Sequence, residues 1–324
     1  MKFFISITLL FSFLLGETHL KITTYNVENL FDLGKGHRYK EYKTNGKSLW
    51  NTKHYKIKLQ NIAKVIKEIN ADVIALQEIG SLQALKDLRR ELKKQGLYYK
   101  YFSITNKKPT TIKVAILSKI PFVYSKDLSV TSSFQYRNIL ETKFRIEGKE
   151  LYIFTNHWKA KSGPESMRII SAKVLRKRIQ SIGEDKNIIL LGDFNSDYEE
   201  YIKFKRKRKH NDTHGKTGIN HILKTLEKND KSFYNLWYDA NEEKRYSYIF
   251  RGKKEALDNI IVSPSLLHPH AVSYVKKSIH NFDKNYLFKK KKIYRWQMSY
   301  GRVKKHKGKG YSDHLAVSAK FIIE

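Results

Sequence analysis

A chain of 324 residues with 40% hydrophobic content has material for one large domain or two small ones, with a sizeable core in either case. It contains no cysteine, which excludes disulfides, thiolate catalysis and zinc–thiolate centres together. Its 64 Lys and Arg against 31 Asp and Glu leave a formal charge of +33, a field that draws in polyanions such as nucleic acid or an anionic membrane; a lysine-rich composition with no partner behind it is the alternative reading.

The N-terminus runs Met1-Lys2, then apolar or small from Phe3 to Gly16, then polar at Glu17 and Thr18. This predicts a secretory signal peptide over 1–16, since the run falls short of the roughly 20 apolar residues that span a bilayer. Cleavage after Gly16 sends the mature chain to the periplasm or the medium, with no stable membrane insertion afterwards. Leu14 is bulky for its place in such a site, and an uncleaved anchor is the alternative. No internal repeat or Pro/Gly/Ser linker divides the remainder, so 17–324 reads as one domain.

Apolar or β-branched runs predict strands at Leu20–Val27, Asp72–Leu76, Lys113–Leu117, Leu151–Thr155, Asn187–Leu191, Leu257–Val262 and His314–Ile323, with a further strand-like stretch at Ile139–Phe144. Two amphipathic helices lie between them. Ile57–Ile69 places Ile62, Val65, Ile66 and Ile69 on one face, and Glu165–Ile182 does the same with Ile169, Ala172, Leu175 and Ile179. Alternation of this kind is the pattern of an α/β domain. Three basic stretches, Lys203–His210, Lys289–Lys292 and Arg302–Lys309, read as surface loops. Aromatic residues interleave with them, among them Tyr201, Phe204, Tyr286, Phe288, Tyr294 and Trp296, which suits phosphate neutralisation with base stacking; plain solubility is the competing reading. The stretch Tyr246–Phe250 reads as core or loop packing.

Short polar clusters fall at the ends of the predicted strands: Asn26 with Glu28 and Asn29, Gln77-Glu78, Asn156-His157, Asp193 with Asn195, Asp258-Asn259, and Asp313-His314. Carboxylates, amides and imidazoles converging without a thiol form an oxygen-rich set suited to Mg²⁺, Mn²⁺ or Ca²⁺. Taken singly, an acid after a strand is more often a cap or turn residue than a ligand. Their joint order carries the argument.

The pieces Thr24-Tyr25-Asn26-Val27-Glu28-Asn29-Leu30, Ala75-Leu76-Gln77-Glu78, Thr155-Asn156-His157-Trp158, Leu191-Gly192-Asp193-Phe194-Asn195, Leu257-Asp258-Asn259-Ile260 and Ser312-Asp313-His314-Leu315 span residues 20 to 322. In that order the chain resembles the endonuclease/exonuclease/phosphatase superfamily, and within it the DNase I-like, secreted bacterial nucleases. The resemblance implies a four-layered α/β sandwich, two mixed sheets face to face with helices outside. It implies metal ligation by Asn26 and Glu78, with Asp313 adding to this shell or to a second site, and Mg²⁺ as the first choice of divalent cation. It implies that His314 paired with Asp258, and His157, meet the scissile phosphate. Asp193 would orient or deprotonate the attacking water, and Asn195 would donate to a phosphate oxygen; which group is the base stays open. Arg137 and Arg168 are candidate phosphate contacts; Arg137 is weighed against an ordinary surface role, and for Arg168 the argument is a helix N-terminus facing the site.

The expected function is therefore metal-dependent hydrolysis of phosphodiesters by an exported endonuclease of low specificity, acting on DNA, with RNA an open alternative. His157 stands where AP endonucleases carry Tyr, which implies a DNase I-like site more than a repair-type one. Two other readings stand beside it: a secreted phospholipid phosphodiesterase of the sphingomyelinase kind, which needs apolar loops, and a non-catalytic nucleic-acid-binding protein, which would have lost key acids.

Overall fold

Strand β1 (Thr18–Leu30) runs parallel to β2 (Val73–Ile79) and antiparallel to β17 (Val317–Ile323), so the two ends of the described chain meet at the centre of one sheet. The structure is a computed structural model and describes residues 17–34, 39–108, 110–203, 210–227, 232–269 and 271–324. The expected signal peptide over 1–16 lies outside the described residues, as do 204–209 of the first basic stretch.

The first sheet continues from β2 to β4 (Lys113–Ser118) and β3 (Tyr101–Ile104), and from β17 to β13 (Val272–Tyr274) and β14 (His280–Asn281). The second sheet has the order β5 (Phe122–Leu128), β6 (Ile139–Ile146), β7 (Lys149–His157), β8 (Ile188–Asp193), β12 (Asp258–Val262), β9 (Tyr234–Asn235). Both sheets mix parallel and antiparallel pairs.

Period-2 burial explains why they stack. Ile22, Val73, Ala75, Val114 and Ile116 of the first sheet meet Phe144, Leu151, Ile153, Leu191 and Ile260 of the second in one buried cluster. The opposite face of each sheet is covered by helices. α1 (Thr52–Ile69) and α2 (Leu82–Lys94) pack on the first, and α3 (Glu165–Ile182) on the second. The result is the expected four-layered DNase I-like α/β sandwich.

α1 starts at Asn51, whose side chain accepts the His54 amide at 3.1 Å, and stops where Asn70 takes a left-handed conformation. It begins five residues before the apolar stripe that predicted it, because its first turn holds one buried apolar residue, Tyr55. α2, capped by Ser81 on the Ala84 amide at 3.0 Å, is an element the strand-and-helix reading did not include. Among the described residues no helix is long and apolar enough to cross a membrane.

Two of the basic stretches are more ordered than loops. Lys289–Lys292 forms a hairpin between β15 (Phe288–Lys289) and β16 (Lys292–Ile293). Within Arg302–Lys309 the chain dips inward at His306, which is 3% exposed and packs beside Trp50 and Tyr42. A short hairpin of β10 (Tyr248–Phe250) and β11 (Lys253–Glu255) leads into β12, and a four-residue helix α4 (Glu200–Lys203) follows β8.

Candidate active site

Sheet register alone lines up half the site. His157 at the end of β7 pairs with Asp193 at the end of β8, and Asp193 pairs with Asp258 at the start of β12, so the three stand on adjacent strands in one row. One step below, Asn156, Gly192 and Asn259 form the next row. Gly192 is required there: it holds φ +135°, and a Cβ on it would lie 2.1 Å from the Asn156 carbonyl oxygen.

The first sheet supplies the other half through bulges. The β1–β2 register shifts between Asn26 and Leu30, with Glu28 and Asn29 at φ 51° and 56°. Glu78, at φ 64°, lies where the β2–β4 register shifts. Left-handed backbone at non-glycine residues carries strain, and bulges of this kind re-aim side chains beside functional sites. Here they bring Asn26 and Glu78 to the row on the second sheet. The Asn26 amide donates to Asp193 Oδ2 at 3.0 Å and to Glu78 Oε1 at 3.2 Å, while Glu78 Oε2 accepts the Asn29 amide at 2.9 Å.

His314 arrives from the C-terminal segment. The Ser312 hydroxyl donates to the Asn26 carbonyl at 2.6 Å and accepts the His314 amide at 3.1 Å, and Leu315 N donates to Ser247 O at 2.7 Å. The ring then bonds Asp258 Oδ2 through Nδ1 at 2.6 Å and points Nε2 toward Asp193 Oδ2 at 4.0 Å. The His157 Nε2 lies 3.5 Å from the same Asp193 oxygen and 3.8 Å from Glu78 Oε1. Glu78, Asp193 and His314 thus converge, as the sequence reading required.

The electrostatics are those of a buried acid cluster. Burial raises the proton affinity of Asp193, with Asp258 adding to it and His314 opposing; burial and Asp313 likewise raise that of Glu78. Burial acts to lower His314, but the charge and hydrogen bond of Asp258, with Asp193 and Asp313, carry it well above the ordinary imidazole range. His157 goes the other way, lowered by burial and by Arg137 and His314. One imidazole is held charged and the other neutral.

A divalent cation fits this donor set. Asp193, Asp258 and His314 bring their donor atoms within 4.8 Å of one another, and because the His314 ring is held charged the ligands fall to the carboxylates, which Glu78 borders. Two buried polar atoms at the site, Asp258 Oδ1 and His157 Nδ1, have no hydrogen-bond partner. The cluster differs from the ligand set implied by the resemblance. Asp313 is turned to Arg295, 3.2 Å from its guanidinium, and the Asn26 side chain faces both acids through its amide nitrogen.

Asn195 is held at φ 48° by its own amide, which donates to Asp193 Oδ1 at 2.8 Å, and spends one side-chain hydrogen on Trp158 O at 3.2 Å. Arg137 donates to that same carbonyl at 2.8 Å and borders a cavity of about 250 Å³ with Tyr39 and Phe134, within electrostatic reach of Glu78 and Asp193. Arg168 corrects the expectation. It is 1% exposed, bonded to Glu165 at 2.6 Å and to the carbonyls of Lys159, Ala160 and Gly163, so it braces the loop before α3 and has no surface to offer a phosphate.

Three contributors escaped the sequence reading. Tyr248, assigned to packing, lies with its ring 4.8 Å from that of His314 and forms a β-bridge to it. Arg295 grips Glu28 and reaches Asp313, although it sits between two basic stretches, 267 positions from Glu28. Ser312 was visible only as part of a motif. A Ser two positions before a polar strand-end residue is the one local signal that could have found it.

An α/β sandwich that gathers buried acids and a carboxylate-bound histidine at the joint edge of two sheets belongs to the class of phosphoester hydrolases built on the DNase I-like fold. Residues 21–322 match the profile of the Endonuclease/Exonuclease/phosphatase family, and the chain belongs to that family. Among solved structures it is similar to D. rerio TDP2 complexed with single-strand DNA product (TM-score 0.59, 16% identity, 94% of this chain and 99% of that one). It is also similar to a mannosyl-6-phosphatase of Bacteroides thetaiotaomicron (0.58, 14%, 93% and 99%) and to a family protein from Leptotrichia buccalis (0.57, 16%, 93% and 99%). At these identities the likeness is one of fold. A comparison with curated protein sequences gives no match.

Proposed function

We propose that the chain is an exported, metal-dependent phosphodiesterase that cuts nucleic acid with little sequence specificity, DNA first and RNA second. One observation carries the reading: His314, clamped to Asp258 at 2.6 Å, stands 4.0 Å from Asp193 with Glu78 and His157 beside them, so a charged imidazole, a neutral one and the acids that can hold a cation and a water meet at one point.

In this reading the charged His314 imidazole receives a non-bridging phosphate oxygen, and Asp258 holds the ring's direction and charge. Asp193, whose proton affinity burial has raised, orients a water on phosphorus and takes its proton as the new P–O bond forms. The bond to the sugar oxygen breaks, and that oxygen leaves as an alcohol once protonated by solvent. Neutral His157 and the Asn195 amide donate to the phosphate oxygens as charge builds. Glu78 would be the main ligand of the divalent cation, Mg²⁺ by preference, with Asp193 beside it as the group that handles the water. When bound, the cation supplies fixed positive charge to the phosphate oxygens and polarises the scissile bond.

Nucleic acid is favoured over phospholipid by what borders the site: Lys289, Lys290, Lys292 and Lys304 line its approach where a bilayer-entering loop would be apolar. The acids are retained, which speaks against a purely binding role. Export rests on the 1–16 leader. It is checked by N-terminal sequencing of secreted material, with Glu17 as the expected first residue.

The test is plasmid digestion by the purified mature chain with Mg²⁺, in parallel with chelator and with Asp193→Asn, beside a panel of RNA, sphingomyelin and a sugar phosphomonoester. Nicking that requires Mg²⁺ and Asp193 supports the reading. Cutting that persists in chelator removes the metal, and turnover confined to sphingomyelin or the monoester removes nucleic acid.

A further inference from the structure

Beside the catalytic row opens a groove of about 680 Å³, with Lys289, Lys290, Lys292 and Lys304 along its wall and Arg295 at its inner end. All four lysines are exposed. Glu28, the one acidic residue of the wall among the described residues, is gripped by Arg295 through its carboxylate, so the lining stays cationic.

The groove meets the site through Arg295, which bonds Glu28 and reaches Asp313, the sequence neighbour of His314, so a polyanion lying in the groove ends beside the proposed scissile position. Its inner wall is fixed. Gly310, at φ +90°, passes so close to Arg295 that a Cβ there would lie 1.9 Å from the Arg295 carbonyl oxygen.

The hairpin that forms the outer wall carries its charge at a conformational cost. Lys290 and Lys291, the two turn residues between β15 and β16, both hold left-handed backbone at φ 50° and 59°. Such a turn favours Asn-Gly, and exposed lysines there gain no packing in return. What they add is positive charge at the groove rim. Nearby, Tyr300 stands 98% exposed in the same wall. A tyrosine ring stacks on a base whose face is free, and a duplex hides the faces of its bases.

Resting on the nucleic-acid reading above, we propose that this groove holds a single-stranded stretch of polynucleotide adjoining the scissile phosphate, phosphates on the lysines and a base on Tyr300. The enzyme then prefers single strands, or frayed and gapped regions, over intact duplex.

The test uses the full mature chain in chelator, so that nothing is cut, with a labelled oligothymidylate and a duplex of equal length read by fluorescence anisotropy. Three variants are compared: Lys289→Ala/Lys290→Ala/Lys292→Ala/Lys304→Ala, Tyr300→Ala, and a charge-matched control, Lys56→Ala/Lys86→Ala/Lys93→Ala/Lys94→Ala, on exposed positions of α1 and α2. The groove variant should bind oligothymidylate at least about tenfold more weakly, with the slope of log K against log salt reduced by about 3, at about 0.7 per phosphate contact. Tyr300→Ala should weaken single-strand binding about fivefold or more and leave duplex binding unchanged, at the lower end of a stacking contact. An effect of the control equal to that of the groove variant overturns the proposal, as does equal loss on single strand and duplex, or no loss. The outcome is separable from the function itself. Oligothymidylate bound through these lysines by a protein that cuts no nucleic acid sustains the groove and rejects the nuclease, whereas cutting by a groove variant that binds like wild type does the reverse.

Discussion

His314 stands between two carboxylates of unequal standing, Asp258 bonded at 2.6 Å and Asp193 unbonded at 4.0 Å. The closer one fixes the ring; the farther one is free to work on water. Asp258→Asn keeps the size of the partner and removes its charge, so the imidazole loses the influence that holds it protonated. Turnover of plasmid DNA should fall at least about 10²-fold, the span of one acid–base group. The pair acts as a unit, so Asp258→Asn/His314→Ala should be no slower than His314→Ala alone; multiplied losses would show that the two residues act separately. Gly192 tests the scaffold beneath them. Its positive φ and the 2.1 Å approach to Asn156 O leave no room for a methyl group, so Gly192→Ala should cost about 3 kcal/mol in urea unfolding as well as activity. The Leu-Gly-Asp-Phe-Asn run announced this row in the sequence because its small, acidic and amide residues are consecutive. Arg295 was not legible, because a lone guanidinium shows its function only when the fold brings a carboxylate from 267 positions away.

Elements divide along the same line. α1 and α3 were readable because a long amphipathic helix repeats its apolar stripe over several turns, and the central strands because buried runs of Val, Ile and Leu are self-evident. β9, β14, β15 and β16 span two residues each, too few for a period to exist. The segment between β16 and β17 shows what this conceals. His306 looked like one more cation in a basic loop, yet it is the loop's anchor: Trp296 Nε1 donates to its Nδ1 at 2.8 Å, and its Nε2 bonds the Glu41 carbonyl at 2.8 Å. With one nitrogen accepting and the other donating, the ring must be neutral, and burial pushes its pKa down to about 4. The sign follows. Between about pH 6.5 and 4 the unfolded chain binds the proton and the folded chain does not, so the contribution of His306 is full above pH 6.5 and is lost as pH falls through that window. His306→Gln keeps an acceptor and a donor without a titrating group. Urea midpoints measured from pH 7 down to pH 4 should therefore decline less steeply in the variant; parallel declines would place the titration elsewhere.

Across the whole molecule the site is a seam. Asn26 and Glu78 come from the first sheet and His157, Asp193 and Asp258 from the second, while the apolar core between the sheets sets how closely the two groups approach. The core supplies cohesion, and the seam works against it by burying three acids at one edge, two of them with raised proton affinity, opposed chiefly by the single charge of His314. A cation on Glu78 next to Asp193 would relieve that repulsion, and its site is complete only when both sheets are in place. Metal binding of this kind would be linked to folding. At a Mg²⁺ concentration about 100-fold above its Kd the native state should gain about 2.7 kcal/mol. For a domain of this size that corresponds to a rise in Tm of about 4 °C over the value in chelator. Replacing the acids uncouples the two effects: Glu78→Gln/Asp193→Asn should melt higher than wild type in chelator, since the repulsion is gone, and should show little further rise with Mg²⁺. A Tm of the wild type that does not move between chelator and saturating Mg²⁺ would mean that no cation bridges the sheets, and the acids would then have to be held by protons alone.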